Sequence, residues 1–327
     1  MKAYIKSIGA HVPDNRVSND DLAHKIDTSD EWIRSHTGIG NRHICGPDEA
    51  ASDLAVAAAE RALERADISR EEIDLVIVAT ASADYPGFPA TASIVQDRLG
   101  LKAAGAFDLA AGCTGFVYGL ETACNMLVGG RYRNILLIGV EVLSKIANWE
   151  DRNTCVLFGD GAGAAIISKT DNTENGLIDS ILRSEGSGAM HLIRKAGGSR
   201  EPIVYGTTPK EDILLHMDGR QVYNFAVRVN TEIISELLEA NKFGVEDVKR
   251  IIPHQANIRI IQAAAKRLKI PMEKFFVNIE EYANTSAASI PIALNEYYES
   301  GELERGDLLL FVGFGAGLSY GGNLLRW

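Results

Sequence analysis

An internal repeat constrains this chain most. The segment 59–67 leads into the apolar run Asp74-Leu75-Val76-Ile77-Val78, and 235–241 leads in the same way into Lys249-Arg250-Ile251-Ile252-Pro253. Segment 96–101 precedes Ala106-Phe107-Asp108, as 265–270 precedes Phe275-Phe276-Val277. The run Asn134-Ile135-Leu136-Leu137-Ile138-Gly139 has its counterpart in 307–313. The offset stays at about 170 residues throughout, the mark of one supersecondary plan used twice. In each copy, short apolar runs alternate with segments of helical length, so each half is expected to build a largely parallel α/β sheet. The expected division is 1–170 and 171–327.

Within the first half, residues 3–8 read as a strand. Thr28-Ser29-Asp30-Glu31 has a capping-box pattern and opens a short helix carrying Trp32. An alanine-rich helix follows over 50–66, then a turn capped at Ser69, a buried strand over 74–80 and a helix from about 89 to 99. Phe158-Gly159-Asp160-Gly161-Ala162-Gly163 invites a dinucleotide-binding reading. It is rejected, because Ala164-Ala165-Ile166-Ile167 continues as a strand and offers no helix N-terminus for pyrophosphate. The stretch 170–212 reads as loops and edge strands between the halves.

Chemistry concentrates at three junctions. Ala106 to Leu109 reads as a short strand, Ala110-Ala111-Gly112 shrinks the chain, and a helix starts at or near Cys113, with apolar residues at Phe116, Val117, Leu120, Cys124 and Leu127. Unpaired N–H groups and the positive end of the helix dipole there favour thiolate. The alternative is a buried structural cysteine. Asn284 holds the place in the second half that Cys113 has in the first. His254 directly follows a strand. Open parallel sheets put their sites at that strand end, so two facing halves would converge Cys, His and Asn. Trp32, near Arg34, His36 and Arg42, either takes a flat ligand or packs over a loop.

The composition excludes several classes. A net charge of −11 argues against a broad nucleic-acid surface. No apolar run is long enough to span a membrane. The four cysteines show no CxxC spacing, so neither a metal site nor a redox pair is suggested and a reducing cytoplasm is the default.

Six segments together resemble the β-ketoacyl-acyl-carrier-protein synthase III family of the thiolase-like superfamily. They are Thr28-Ser29-Asp30-Glu31-Trp32, Ala111-Gly112-Cys113-Thr114-Gly115-Phe116, the 158–164 glycine motif, Pro253-His254-Gln255-Ala256-Asn257, Asn284-Thr285-Ser286-Ala287-Ala288-Ser289, and Gly313-Phe314-Gly315-Ala316-Gly317. The resemblance covers the whole chain. It implies a five-layer αβαβα thiolase-like fold from two duplicated halves, and a homodimer. It also implies the decarboxylative condensation of a short acyl-CoA primer with malonyl-acyl carrier protein, which initiates fatty acid synthesis.

The resemblance assigns residue roles too. Cys113, His254 and Asn284 would be the catalytic triad, with the backbone N–H groups of Cys113 and Ala316 as an oxyanion hole. Trp32 and Arg152 would flank the adenine of CoA, while Thr28, Gly219 and Asn257 line the pantetheine tunnel. Arg259, Lys266 and Arg267 would dock the acyl carrier protein; by themselves they equally fit a solvated helix face. Phe88 would cross the dimer interface to limit the acyl pocket. No tightly bound cofactor is implied; the CoA thioester and the phosphopantetheine arm are substrates.

Two positions depart from the family pattern. His36 stands where relatives often have arginine, which bears on the strength or pH dependence of CoA binding. Ala283 stands where glycine is common, which matters only if its φ is positive. The competing readings are a condensing enzyme or acyltransferase of secondary metabolism on the same fold, and a silent structural subunit. The retained Cys113 opposes the latter. Hydroxymethylglutaryl-CoA synthase and plant-type polyketide synthases fit the second-half motifs less well.

Overall fold

A computed structural model describes residues 2–172 and 174–327; Thr173, inside the connection read as irregular, lies outside the described residues. The first sheet has five strands: β1 (Lys2–His11), β2 (Leu75–Ala79), β3 (Gly105–Leu109), β4 (Asn134–Val142) and β5 (Asp160–Thr170), in the order β1-β5-β4-β2-β3. β2 pairs parallel with both β3 and β4, while β5 is antiparallel to β4 and β1. The second sheet has β6 (Gly176–Ser184), β7 (Val248–Pro253), β8 (Leu308–Gly315) and β9 (Ser319–Arg326), in the order β7-β8-β9-β6. The pairing senses repeat, with β7 parallel to β8 and β9 antiparallel to β8 and β6. The counterpart of β3 shrinks to one parallel bridge between Phe275 and Ile251.

Two helices lie between the sheets, α4 (Gly115–Val128) and α7 (Ser289–Glu299). α2 (Ala51–Ala66) and α3 (Thr91–Arg98) cover the outer face of the first sheet; α5 (Gly219–Asn241) and α6 (Ile258–Leu268) cover that of the second. The period-two geometry of strands explains the layering. Leu75, Ile77, Ile135 and Leu137 point to the central helices, where they meet Leu309 and Phe311 of the second sheet. Val76, Val78, Leu136 and Ile138 point the other way, onto α2 and α3. Strands buried on both faces read as near-continuous apolar runs, as in Leu75–Ala79 of β2 and residues 135–140 of β4. Each buried leucine here is worth roughly 2–5 kcal/mol against alanine.

No helix follows the 158–164 glycine motif, and from Asp160 on the motif is already part of β5. Its glycines give α7 room: a Cβ on Gly163 would lie 2.5 Å from Pro291 Cβ. The helix carrying Trp32 is α1 (Asp30–Thr37), and its cap differs from expectation. Ser29 Oγ, not Thr28, accepts the Trp32 N–H at 3.1 Å, while Thr28 Oγ1 is buried without a partner.

Candidate active site

Cys113 sits in a 3₁₀ turn, Gly112–Thr114, at the C-terminal end of β3, and the α-helix proper begins two residues later at Gly115. Gly112 has φ +52°, a conformation that glycine adopts without strain. The turn packs against the loop after β8. A Cβ on Gly112 would lie 3.2 Å from Ala316 N, and one on Gly315 would lie 2.7 Å from Cys113 N. Ser319 Oγ ties the two turns by donor contacts to the carbonyls of Ala111 (3.1 Å) and Ala316 (2.9 Å). Among the described residues the Ala316 N–H meets no acceptor.

Cys113 alone of the four cysteines is not fully buried. Its burial opposes the thiolate expectation. Burial pushes the thiol up to about 12, and the nearby Glu141 carboxylate pushes the same way; the Ser286 hydroxyl acts against them. Burial and the N–H groups of the turn thus act in opposite directions on the thiol.

His254 follows β7, with its N–H donating to Val312 O at 2.8 Å. The side chain is 2% exposed. Its Nδ1 lies 2.7 Å from Ser289 Oγ, and its ring meets Phe314 edge-on at 5.2 Å between centroids. Burial pushes the imidazole down to about 3, so the ring is neutral.

Asn284 is held by the first half of the chain, since its N–H donates to Leu157 O (2.9 Å) and its carbonyl accepts from Gly159 N (3.1 Å). Its side-chain Oδ1 accepts the Ser286 N–H at 2.9 Å, which leaves the amide NH₂ to donate elsewhere. The preceding Ala283 has φ 56° and ψ −155°, a region that only glycine enters freely. Alanine is therefore strained at the residue that presents Asn284.

Cys113, His254 and Asn284 line one cavity of about 350 Å³, together with Trp32, His36, Gly219, Asn257 and Phe314. Thr28, Arg152 and Phe88 do not line it. Arg152 lies directly over the Trp32 ring at 4.6 Å and donates to Asp27 O at 2.9 Å, so the pair is closed, with no gap for a flat ring between them. His36 stacks on Trp32 at 4.5 Å. Arg34 and Arg42 do not join that group: Arg34 pairs with Asp30 and Glu280, and the fully buried Arg42 donates to Asn19 Oδ1 and Val156 O. Phe88 is 86% exposed, and its neighbours Tyr85 to Gly87 line a separate cavity of about 520 Å³. Arg259, Lys266 and Arg267 are exposed on α6, capped by Asn257, and none forms an ion pair among the described residues.

Sequence reading missed the groups behind the site. Glu141, fully buried at the end of β4, accepts from Ser82 Oγ (2.5 Å), Ser286 Oγ (2.9 Å) and the Ala81 N–H (3.1 Å). An acid inside an otherwise apolar strand was the available signal.

Two family descriptions match the chain: 3-oxoacyl-[acyl-carrier-protein] synthase III over residues 107–186 and its C-terminal portion over 238–327. The chain is 47% identical over 327 residues to a β-ketoacyl-[acyl-carrier-protein] synthase III of Caldanaerobacter subterraneus subsp. tengcongensis, covering 100% of this chain and 98% of the relative. It is 48% identical over 323 residues to the protein of the same name from Desulfitobacterium hafniense, covering 99% and 97%. The solved 3-oxoacyl-[acyl-carrier-protein] synthase III of Aquifex aeolicus superimposes with a TM-score of 0.91 at 42% identity, covering 99% of this chain and 100% of that one.

The chain belongs to the β-ketoacyl-acyl-carrier-protein synthase III family. It is a condensing acyltransferase of the thiolase fold, and membership favours the initiation of fatty acid synthesis over the secondary-metabolism reading. No described helix is long and apolar enough to cross a membrane.

Proposed function

We propose that Cys113 is the acyl carrier in a two-step condensation and that His254 and Asn284 stabilise the charge formed in the second step. In the first step the Cys113 sulfur attacks the carbonyl of a short acyl-CoA. The thioester C–S bond breaks, the acyl group stays on Cys113, and the thiol proton ends on the leaving CoA sulfur. The N–H groups of Cys113 and Ala316 hold the tetrahedral oxyanion.

In the second step malonyl-acyl carrier protein enters and loses CO₂. The electron pair of the broken C–C bond moves onto the thioester, so its carbonyl oxygen gains negative charge. His254 and Asn284 donate hydrogen bonds to that oxygen. Asn284 has no proton to exchange, which makes its role electrostatic. The carbanion attacks the acyl-Cys113 carbonyl and the C–S bond to Cys113 breaks, giving a β-ketoacyl carrier protein and a Cys113 thiolate, which regains its proton from water.

The observation that carries this reading is the shared cavity. Cys113 from the first half meets His254 and Asn284 from the second, with the acceptor end of the Asn284 amide already occupied. The halves divide at 1–170 and 171–327. Thr28, Gly219 and Asn257 are read as the route for the pantetheine arm, and the cavity wall at Gly219 and Asn257 supports that reading; Trp32 and Arg152 are read as the adenine site. Arg152 must swing off Trp32 to admit the adenine. The exposed Arg259, Lys266 and Arg267 give an acidic carrier protein a basic surface, which speeds encounter. Phe88, exposed in one chain, is read as reaching the acyl pocket of a partner in a homodimer. No tightly bound cofactor is needed, and the enzyme works in the cytoplasm.

Intact-mass measurement and peptide mapping test the first step. The protein is mixed with acetyl-CoA or isobutyryl-CoA, malonyl carrier protein being omitted. Acylation confined to Cys113 is expected, followed by discharge to a β-keto product when the malonyl carrier is added. A folded protein that forms no adduct with these or longer acyl-CoAs would overturn the assignment.

A further inference from the structure

We propose that Ser289 is a positioning residue: its hydroxyl fixes the proton of His254 on Nε2, which makes the ring a donor to the substrate carbonyl. The proposal rests on the reading of His254 given above. The His254 ring is neutral, so one ring nitrogen carries hydrogen and the other a lone pair. Which is which decides the chemistry. A lone pair aimed at a carbonyl gaining negative charge repels it; an N–H stabilises it.

Proton counting around Ser289 makes the choice. Ser289 is 2% exposed, at the start of α7. Two groups lie within hydrogen-bond reach of its Oγ among the described residues: His254 Nδ1 at 2.7 Å and the Gln255 backbone N–H at 3.3 Å. The Gln255 N–H can only donate, so Oγ accepts there. The hydroxyl proton then has a single acceptor in reach, His254 Nδ1. The reverse arrangement has Nδ1–H and Gln255 N–H both donating to Oγ, and it leaves a buried O–H with no acceptor. Buried donors are rarely left unpaired. The proton of the ring is therefore on Nε2.

The same segment orients both donors. Ser286 N–H occupies Asn284 Oδ1, and Ser289 O–H occupies His254 Nδ1. Each contact takes up the acceptor end of its partner and leaves a donor for the cavity. Ser286 and Ser289 are three residues apart, within one turn of the chain entering α7. This junction in the second half thereby sets the polarity of the carbonyl-binding pair.

The test uses full-length protein labelled with ¹⁵N-histidine, with the His254 ring signals assigned from their loss in His254→Ala. Wild-type protein is expected to show the Nε2–H tautomer, and folded Ser289→Ala a shift toward Nδ1–H. Ser289→Ala should slow malonyl-carrier decarboxylation by about tenfold to a hundredfold, while acylation of Cys113 by acyl-CoA stays close to wild type. Ser289→Thr, which keeps the hydroxyl, should restore both the tautomer and the rate. A wild-type ring protonated at Nδ1 would overturn the proposal, as would Ser289→Ala that decarboxylates at the wild-type rate. The His254→Ala control separates the two levels. If it decarboxylates normally, the role given to His254 fails, whereas the tautomer is read independently by the ring nitrogens.

Discussion

Glu141 carries a titration that stability measurements can isolate. Burial raises its carboxyl from 4.5 to about 7, against the hydrogen bonds from Ser82, Ala81 and Ser286 that favour the charged form. In the unfolded chain the group titrates near 4.5. A group whose pKa is raised on folding stabilises fully below its unfolded value, and that contribution is lost as pH rises through the folded value. The change from 4.5 to about 7 corresponds to roughly 3 kcal/mol. Glu141→Gln removes the titration. Its carbonyl oxygen can still accept from the Ala81 N–H and Ser286, and its NH₂ can donate to Ser82 Oγ, which rotates. The stability difference between wild type and Glu141→Gln should therefore be flat below pH 4.5. It should move by roughly 3 kcal/mol in favour of glutamine by pH 8, or about 4 °C in Tm for a chain of this length. The assay is denaturant or thermal unfolding of both proteins at several pH values, at one protein concentration and ionic strength. Parallel stability curves from pH 4 to pH 8 would refute the reasoning, because they would mean that the buried carboxyl titrates as it does in water.

Three further outcomes follow from the geometry. Gly315→Ala places a Cβ 2.7 Å from Cys113 N; displacing the nucleophile turn by such a clash should slow acylation on the order of a hundredfold, read by the rate of adduct formation in the mass spectrometer. Asn284→Asp turns a donor toward the cavity into an acceptor, so decarboxylation of malonyl-carrier should fall about a hundredfold or more while the Cys113 adduct still forms, which product analysis with and without the malonyl carrier separates. Arg152→Ala removes the cation that lies over Trp32; the KM for acyl-CoA should rise between about two- and thirtyfold with kcat little changed, as steady-state kinetics will show.

The duplicated plan was legible because its signal is spread over many residues. β2 is apolar throughout and β4 is apolar between Asn134 and Glu141, and comparable apolar runs recur over Ile251–Pro253 of β7 and along β8. Cys113, His254 and Asn284 stood out because each is a reactive or polar residue placed just after a strand or at the matching junction of the other half. The rejection of a dinucleotide loop at Phe158–Gly163 agrees with the strand that runs on through Ala164-Ala165-Ile166-Ile167, but Asp160 to Gly163 belong to that strand and not to a turn before it.

Other features depended on distances that no local pattern encodes. Desolvation of Cys113 is set by what packs over its turn from β8 and from the Ser286 turn, so the cap-and-dipole argument carried only one of two opposing effects. The choice of Ser29 over Thr28 as cap turned on backbone geometry within one residue. Arg42 looked like a ligand cation in sequence and proved to be a fully buried strut between Asn19 and Val156. Glu141, Ser286 and Ser289 come from two different halves, and only the stacking of α4 and α7 between the sheets brings them beside the nucleophile. Sequence thus determined the alternation of strands and helices, its duplication and the three reactive positions, because periodicity and junctions are local; the five layers followed only from the family resemblance. Tertiary structure alone decided the protonation and orientation of those positions, because both depend on the burial and hydrogen-bond partners that the opposite half supplies.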